Sequence, residues 1–368
     1  MMTIFSPQLR SDLQEALIDW FNSHQRDLPW RRGYRPYEVW ISEIMLQQTQ
    51  MERGIEYFRR WLLEFPDIES LARADEDRVL KLWEGLGYYS RARNLHSCAR
   101  ILVDTCQGII PADPALLIRL PGIGPYTAGA IASIAYNQDA PLVDGNVGRV
   151  FARLFKMEQQ LSDPTCKKEL WQLAEALLPQ GRARAFNQGL MELGALICTP
   201  KNPRCAHCPL SHLCLAHQQG LTNDLPVPGR GPTILPIEMA TGILCHQGRI
   251  FIQQRRTKDV WGNLWEFPGG KREGDEQPAQ TVAREFMEET GLSVIVGHKI
   301  TTVTHHYTRY RVTLHGFSCT LSSEQSNHSC MPILSAARDC GWVCLNALDN
   351  YAFPAGHRQL IEFIKKNK

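Results

Sequence analysis

The chain has 368 residues, of which 43% are hydrophobic and 21% charged, and its formal net charge at pH 7 is +2. This composition supplies material for sizeable cores and excludes a disordered tail protein or a disulfide mini-scaffold. The near-neutral charge argues against a membrane tether or a histone-like partner. At roughly 150 residues per domain, the length predicts two or three domains.

The first two-thirds of the sequence predict helices. Ser11 and Gln14 resemble a capping box, and apolar residues follow at helical spacing. A second helix is expected after Pro36, carrying Glu43 and Gln47. Later helices are expected around residue 171 and over 184–197. The uncharged run over residues 120–138 is long enough to span a bilayer, but its prolines and glycines favour a soluble turn and helix.

The amino-acid composition changes at residues 222–236, where prolines and glycines predict an extended linker. Beyond it, the sequence predicts one helix, Pro278 to Thr290, and strands over 237–245, 249–254, 292–296 and 311–319. The expected fold class is therefore multidomain, α plus α/β. An all-α domain covers residues 1–222, a linker covers 223–236, and a mixed α/β domain covers 237–368.

Four cysteines lie close together and are separated by six, two and five residues: Cys198, Cys205, Cys208 and Cys214. Four thiolates can close around one metal centre. Only one pair has the two-residue spacing of a zinc knuckle, and the uneven spacing favours a 4Fe-4S cluster. Four unrelated thiols are the alternative, although prolines in the same stretch indicate a tight loop. The other eight cysteines have no ligand spacing, and buried thiols are expected there.

A glycine-rich turn places Gly122 and Gly124 just before Pro125. Its backbone N–H groups, at the N-terminus of a helix, can bind a phosphate, although a simple helix cap is the alternative. Asp144 and Asn146 follow about twenty residues later, beside two further glycines. Taken alone, Asp144 is better explained as a helix N-cap than as a functional acid.

The order of these features resembles the endonuclease III superfamily of helix-hairpin-helix glycosylases. Within it, the chain is similar to the A/G-specific adenine DNA glycosylases of the MutY type. The matching stretches are residues 27–31, 40–49, 83–93, 120–129, 143–150 and 186–209. The resemblance implies an all-α helix-hairpin-helix domain with an iron–sulfur loop at residues 198–214. It also implies base excision repair, by hydrolysis of the N-glycosidic bond of adenine mispaired with 8-oxoguanine or guanine.

Removal of adenine needs one neutral acid and one ionised carboxylate. The resemblance assigns these roles to Glu43 and Asp144, with Asn146 and Tyr126 positioning the aspartate and the sugar. Glu43 is expected among apolar residues, where desolvation raises the pKa of a carboxyl group; a solvated helix position is the alternative. Bifunctional members carry a Schiff-base lysine where this chain has Tyr126, so a monofunctional glycosylase is expected.

The expected partner is double-stranded DNA, from which the target base must be flipped out. The resemblance implies that Gln48 helps to fill the gap and that Tyr88 wedges beside the opposite base; ordinary packing is the alternative for Tyr88. Arg31 belongs to an arginine cluster that can contact phosphates or pair with nearby acids such as Asp27. A monomer without a membrane partner, located in the cytoplasm at a bacterial-type nucleoid, is expected.

The C-terminal part contains the complete Nudix pattern of nucleotide pyrophosphohydrolases over residues 270–292. Glu285, Glu288 and Glu289 lie on one helix face and repel one another unless cations neutralise them. Mg²⁺ suits such oxygen ligands, and a solvated acidic face is the alternative. The resemblance implies that this domain recognises 8-oxoguanine, which is the favoured interpretation. The alternative is a bifunctional protein whose Nudix domain also hydrolyses oxidised nucleoside triphosphates.

Family members present an aromatic–serine–histidine triplet in the recognition loop, and the matching residues here are Tyr307, Thr308 and Arg309. Thr308 keeps a hydroxyl donor, whereas Arg309 changes the contact. Two rival interpretations are a nucleotide-pool hydrolase whose helical domain only binds DNA, and a non-catalytic mismatch sensor. Glu43, Asp144 and the complete hairpin argue against both.

Overall fold

The computed structural model of the protein describes residues 6–229, 231, 233–323 and 332–367. Within them the chain forms two compact units. The first takes its residues from 1–73 and 94–231, and the second takes its residues from 74–93 and 232–368. The division therefore falls inside the predicted linker, whose limits stay a prediction. Residues 74–93, expected in the helical domain, belong with the C-terminal unit.

Helices dominate the first two-thirds of the chain. They are α1 (Pro7–His24), α2 (Pro36–Met45), α3 (Met51–Glu64), α4 (Ile68–Arg73), α5 (Glu76–Trp83, in the second unit), α6 (Ser90–Cys106), α7 (Pro114–Leu117), α8 (Pro125–Ala130), α9 (Gly145–Leu154), α10 (Pro164–Leu177), α11 (Ala183–Leu196) and α12 (Leu215–Gln218). A π-helix, Ile131–Ala135, continues α8.

Two helix limits differ from the predictions. Helix α1 begins one turn earlier, because Ser6 is its N-cap: the hydroxyl oxygen accepts a 3.2 Å hydrogen bond from the Leu9 N–H, and Pro7 follows at the first helical position. The capping box predicted at Ser11 is therefore wrong. Helix α2 ends at Met45, so Gln47 lies beyond it.

Helix α2 is buried along most of its length, from Tyr37 to Met45. A helix surrounded by protein on all sides carries even its polar residues into the interior. The apolar core of this unit also draws on α1, α9 and α11, through side chains such as Phe21, Phe151 and Phe186. Glu43 is consequently only 7% exposed.

Two glycines allow the backbone around Asp144 to pack closely. A Cβ atom on Gly129 of α8 would lie 2.1 Å from the Pro141 oxygen, and one on Gly194 of α11 would lie 2.6 Å from Cβ of Asn146. Real Cβ atoms do not tolerate such distances. These approaches bring α8 and α11 against the segment that contains Asp144.

The second unit contains one mixed sheet. Its strands are β1 (Leu235–His246), β2 (Arg249–Arg255), β3 (Trp265–Glu266), β4 (Gly269–Lys271), β5 (Val294–Tyr307), β6 (Tyr310–Leu321) and β7 (Ala337–Val343). The main strand order is β3-β2-β1-β6-β5, with β4 paired to β1 and β7 paired to β2. Strands β1 and β6 are parallel, and the other pairs are antiparallel.

Helices α13 (Pro278–Thr290) and α14 (Ala355–Lys366) cover the sheet, because successive strand residues face opposite sides. Leu244 packs with Phe286 of α13, whereas the preceding Ile243 packs with Ile361 of α14. A helical unit and a mixed α/β unit confirm the predicted fold class.

Helix α13 has the predicted limits, and the left-handed Gly291 (φ 67°) ends it. Strand β5 is the main difference, because it continues to Tyr307 instead of ending near residue 296. Strands β3, β4 and β7 and helix α14 were not predicted. No helix in the described residues is long and apolar enough to cross a membrane.

Candidate active site

A cavity of about 700 Å³ lies in the first unit. Six of the predicted site residues line it: Arg31, Glu43, Gln48, Tyr126, Asp144 and Asn146. The residues come from the short 3₁₀ helix Pro29–Arg31, from α2, from the turn after it, from α8 and from the start of α9, so the fold collects them from distant parts of the sequence. Gly122 and Gly124 lie in the hairpin turn, and Tyr88 and Thr308 lie in the second unit.

Glu43 is the buried acid of this cavity. Burial raises the pKa of its carboxyl to about 7, the nearby charge of Asp144 adds to this increase, and the Tyr126 hydroxyl opposes it by donating a 2.5 Å hydrogen bond to Oε2. An increase in the pKa of Glu43 is what its apolar neighbours in the sequence predicted. A substantial fraction of Glu43 therefore remains protonated near neutral pH and can donate a proton.

Asp144 is both a helix cap and a cavity residue. Its Oδ1 accepts a 2.7 Å hydrogen bond from the Val147 N–H at the start of α9, and its Oδ2 accepts a 2.9 Å bond from the Asn146 amide. Burial raises the pKa of Asp144, while these donors and the Arg149 charge lower it. The N-cap interpretation and the functional one are thus compatible, because capping fixes the carboxylate in the cavity.

Arg31 faces a buried acid instead of the outer surface. Its guanidinium donates two hydrogen bonds to the Glu192 carboxylate, 3.1 and 2.9 Å long, and a third to Gln188 of 3.0 Å. Arg26 also pairs with Glu192, at 2.9 and 2.8 Å. Burial opposes ionisation of Glu192, but the hydrogen bonds from both arginines outweigh it and lower its pKa to about 2.

Sequence reasoning missed Glu192 and Gln188, which also line the cavity. About 160 positions separate Glu192 from Arg31, and although both lie in stretches that match the family, no spacing connects the two residues. Only the burial of an acid on α11, where Glu192 is 1% exposed among apolar neighbours, indicates its role. Arg31 therefore shapes the cavity wall, and its predicted contact with DNA stays a prediction.

The hairpin turn presents exposed backbone at Gly122 and Gly124, while Ile123 between them is buried. Gly122 has a left-handed φ of 77°, and a Cβ atom there would lie 2.6 Å from Cβ of Asn94. Gly124 is the N-cap of α8, with no side chain to occupy the helix end. The turn leaves backbone N–H groups accessible in the way that the phosphate-binding hypothesis requires.

The cysteine loop follows α11 and closes around a small pocket. All four predicted ligand cysteines line it, together with Arg153 and His217. None of the described cysteines forms a disulfide. Burial raises the pKa of Cys208 to about 12, so a thiolate at this position needs neighbouring positive charge.

Arg153 supplies one such charge, and it is 1% exposed. Its Nη1 lies 3.2 Å from Cys198 Sγ, and the guanidinium also donates to the oxygens of Thr199 and Leu225, each at 2.8 Å. Four soft sulfur donors around one pocket, with a buried cation bonded to one of them, suit an iron–sulfur centre. The basic side chains of this loop, Lys201, Arg204 and His207, are exposed.

Tyr88 and the predicted recognition loop meet in the second unit. The Tyr88 and Tyr307 rings lie 6.2 Å apart with an interplanar angle of 35°, and Trp261 packs edge-on against Tyr307 at 5.3 Å. Thr308 has a left-handed φ of 51° and is exposed at the tip of the β5–β6 hairpin. The hydroxyl of Thr308 is therefore accessible beside an aromatic platform.

Three carboxylates at the Nudix helix share one arginine of the protein. Arg284 donates hydrogen bonds to Glu276, Glu285 and Glu288, at 2.9, 2.9 and 3.0 Å. Glu289 is separate from this group. Burial raises its pKa to about 8, and Gln253 and the Gly269 N–H donate to it at 2.9 and 3.2 Å. Arg284 thus offsets part of the repulsion expected among these carboxylates.

Three family models match the chain. Residues 41–176 match the HhH-GPD superfamily of base excision DNA repair proteins, and residues 198–214 match the iron–sulfur binding domain of endonuclease III. Residues 239–363 match the NUDIX domain. The predicted helix-hairpin-helix, iron–sulfur and Nudix assignments are therefore confirmed, and the protein carries an iron–sulfur cluster at its four-cysteine loop.

Curated relatives decide the family. The adenine DNA glycosylase of Buchnera aphidicola subsp. Schizaphis graminum is 38% identical over 255 residues, which cover 69% of this chain and 74% of that protein. The chain belongs to the adenine DNA glycosylase family. The human adenine DNA glycosylase is 45% identical over 213 residues, covering 55% of this chain and 39% of that protein.

Among solved structures, a thermostable thymine-DNA glycosylase is similar with a TM-score of 0.52 and 30% identity, covering 57% of this chain and 97% of that one. A non-covalent endonuclease III–DNA complex is similar with a TM-score of 0.51 and 22% identity, covering 59% of this chain and 99% of that one. The second likeness shows the fold alone. This adenine DNA glycosylase family member therefore shares the helical fold of its superfamily.

Proposed function

We propose that this protein hydrolyses the N-glycosidic bond of adenine in double-stranded DNA, at pairs with 8-oxoguanine or guanine. The observation that carries the proposal is that Glu43 and Asp144 line the same cavity. The pKa of Glu43 is raised to about 7. Burial also raises the pKa of Asp144, but hydrogen bonds from the Val147 N–H and the Asn146 amide oppose that rise and favour its anion. Two carboxyl groups in contrasting environments support acid catalysis and charge stabilisation at one site.

In the proposed reaction, Glu43 donates its proton to the leaving adenine, because a neutral base leaves far more easily than an anion. Departure of the base puts positive charge on the deoxyribose. Asp144 stabilises that charge, and Asn146 keeps its carboxylate oriented through the 2.9 Å hydrogen bond. Glu43, then ionised, activates the water that attacks the sugar. Tyr126 steadies Glu43 in both protonation states.

We infer that the enzyme is monofunctional. Tyr126 occupies the position of the lysine in bifunctional relatives, and its hydroxyl is committed to Glu43 in the cavity. A phenol cannot form a Schiff base with the sugar. Burial and the neighbouring carboxyls also raise the pKa of Tyr126 above its ordinary value, so it stays a neutral donor.

The polar wall of the cavity suits a flipped purine. Gln188, Arg31 and Glu192 line the same cavity as Glu43 and Asp144, and they offer hydrogen-bond donors and acceptors there. Enzymes read an extruded base through hydrogen bonds to its edge. We propose that this wall binds the adenine edge and that Gln48, with φ 57° in the turn after α2, helps to fill the gap in the duplex.

DNA backbone contacts are assigned to the hairpin amides at Gly122 and Gly124 and to the exposed basic residues of the cysteine loop. Both provide positive electrostatic potential without a large net charge. The opposite base is assigned to Tyr88 and Thr308, which the second unit holds near one aromatic platform. We expect the protein to act as a monomer in the bacterial cytoplasm.

The iron–sulfur centre is proposed to be a 4Fe-4S cluster held by the four cysteines of the loop. Such a cluster needs four thiolates, each bound to a different iron, and the uneven spacing of these cysteines suits it. When bound, it supplies a redox-capable cross-link for residues 198–214. The chain's own part is to hold the sulfurs in one pocket and to place Arg153 against Cys198.

The Nudix-like unit is proposed to recognise 8-oxoguanine and not to hydrolyse nucleotides. The bonds from Arg284 to three glutamates support this interpretation, since they occupy the carboxylates within the protein. If the domain also hydrolysed oxidised nucleoside triphosphates, Glu285, Glu288 and Glu289 would be the residues that hold Mg²⁺.

Single-turnover adenine release from duplexes with 8-oxoguanine, guanine or thymine opposite the adenine tests the proposal. Release is expected with 8-oxoguanine and guanine, and much less with thymine. Glu43→Gln and Asp144→Asn should each abolish it while keeping the fold, as measured by circular dichroism. Absence of release from every duplex contradicts the proposed function. A borohydride-trapped adduct comparable to that of a bifunctional enzyme contradicts the monofunctional assignment.

A further inference from the structure

Residues 74–93, here called the wedge segment because they include Tyr88, fold with the C-terminal unit and not with the helical unit that surrounds them in sequence. Side-chain hydrogen bonds attach the segment to the rest of that unit. They join Lys81 to the Tyr351 oxygen, Tyr89 to the Phe353 oxygen, Arg93 to the Gly262 oxygen, Gln254 to Asp77 and Asn263 to Glu76.

Glu84 is the most heavily bonded carboxylate in this attachment. Its Oε1 accepts from the Phe353 N–H at 2.9 Å and from Arg358 Nε at 2.8 Å, and Oε2 accepts from Lys81 at 2.5 Å. The Glu84 side chain is 13% exposed and that of Arg358 is 16% exposed. A carboxylate that is largely shielded from water and held by three donors has little freedom to move.

Tyr88 follows Glu84 by four residues in a backbone that the protein holds firmly. Its φ is 46°, an unfavourable value for tyrosine, and the left-handed Gly87 (φ 70°) precedes it. Trp83 Nε1 and Arg91 Nη2 both donate to the Gly87 oxygen, at 3.0 and 3.2 Å. The Tyr88 ring therefore faces Tyr307 because the turn between α5 and α6 is fixed at both ends.

We infer that Glu84 is a positioning residue for discrimination of the base opposite adenine. By fixing the wedge segment to Phe353 and Arg358, it keeps Tyr88 in register with Tyr307 and Thr308, so that these residues act on one base. The inference rests on the proposed function, in which Tyr88 and Thr308 contact that base. Loss of the Glu84 charge leaves one neutral acceptor oxygen for Arg358, Lys81 and the Phe353 N–H and replaces the other oxygen with a donor, which loosens the turn.

The test compares single-turnover adenine release opposite 8-oxoguanine with release opposite guanine, and takes the ratio of the two rate constants. Glu84→Gln is expected to lower this ratio about tenfold, since a hydrogen-bonded charge is lost. Asp349→Asn is the matched control. It removes the exposed partner of Arg358 (3.3 Å) and Lys365 (2.6 Å) without touching Glu84, and the ratio should stay unchanged. Partial loss of folded protein lowers the amplitude of adenine release but does not change the ratio of the two rate constants.

Two further variants show whether Glu84 acts through Tyr88. In a Tyr88→Ala background, Glu84→Gln should change the ratio no further, because coupled residues are not additive. Arg358→Lys keeps the charge but loses the Nε bond, and it replaces Glu84→Gln if that variant does not fold; a smaller decrease is expected. An unchanged ratio in both single variants overturns the inference, as does an equal decrease with and without Tyr88. Failure of the proposed function is seen separately, as absent release by the wild-type protein.

Discussion

The guanidinium of Arg149 donates a 2.8 Å hydrogen bond to the main-chain oxygen of Cys198, the first cysteine of the iron–sulfur loop. The same guanidinium donates a 2.8 Å bond to Oδ1 of Asn146, whose amide in turn donates to Asp144 at 2.9 Å. The cysteine loop and the catalytic aspartate are thus the two ends of one hydrogen-bonded path. Arg149 spans it from α9.

Arg149→Gln should therefore slow adenine excision while the iron–sulfur cluster stays bound. The shorter side chain cannot reach Cys198 and Asn146 together, so Asn146 loses its orientation and Asp144 loses a nearby positive charge. We expect a decrease of about tenfold to a hundredfold in the single-turnover rate, from the loss of charged hydrogen bonds. Iron content and the visible absorption of the cluster are the control measurements, and loss of the cluster in proportion to activity contradicts the prediction.

The raised pKa of Glu43 predicts how its replacement alters stability with pH. An ordinary glutamate ionises near pH 4.5, whereas Glu43 in the folded protein ionises near pH 7. Between these values the folded state holds a proton that the unfolded state has lost, so this contribution to stability is lost as the pH rises. Glu43→Gln should accordingly be more stable than the wild type at pH 8, by about 3 kcal/mol at most, and similar at pH 4.5. Thermal melting at the two pH values measures the difference; equal effects at both would contradict it.

Tyr126→Phe should move the pH dependence of excision. The Tyr126 hydroxyl stabilises the Glu43 anion through its 2.5 Å hydrogen bond and so lowers the pKa of Glu43. Without it, that pKa rises and Glu43 stays protonated to higher pH. The alkaline limb of the pH–rate profile is expected to shift upward, whereas the acid limb, set by Asp144, should shift little. A profile identical to that of the wild type would show that Glu43 does not set the alkaline limb.

Glu192→Gln should destabilise the protein at neutral pH, because it leaves Arg26 and Arg31 facing a neutral group in the cavity wall. Breaking a buried ion pair by removing one partner costs about 3–5 kcal/mol. The pKa of Glu192 is lowered to about 2, so its contribution persists above pH 4.5 and is lost as the pH falls toward 2. Asp27→Asn, which removes the exposed partner of Arg32, is the control and should cause no measurable change in chemical denaturation.

The Nudix-like unit should not release pyrophosphate from 8-oxo-dGTP in the presence of Mg²⁺. Arg284 already bonds to Glu285 and Glu288, and burial holds Glu289 partly protonated by raising its pKa to about 8. A colorimetric phosphate assay coupled to pyrophosphatase measures the reaction. Magnesium-dependent release that disappears in Glu288→Gln would instead establish the bifunctional alternative.

Several features of this protein were determined by local sequence. The cysteine spacing, the glycines of the hairpin, Tyr126 at the lysine position and the limits of α13 could all be read directly, because each depends on residues within a few turns of one another. Apolar neighbours on its own helix favoured the burial of Glu43, although a glutamate on a helix is more often solvated, and the resemblance to the family was needed to choose between the two. These features depend on backbone conformation and on which residues share a helix face, and both follow from the spacing of residues close together in sequence.

Tertiary structure decided the rest. The Glu192 pair with Arg31 and the Arg149 bond to Cys198 join residues 161 and 49 positions apart, and the attachment of Glu84 to Arg358 spans 274 positions. The packing of residues 74–93 with the C-terminal unit also depends on contacts between residues that are distant in sequence. A hydrogen bond between distant residues depends on how helices and strands pack, and packing in turn depends on shape and buried charge over the whole unit. The sequence by itself therefore determined which reactive groups are present, and the folded chain decided which side chains hold those groups in place.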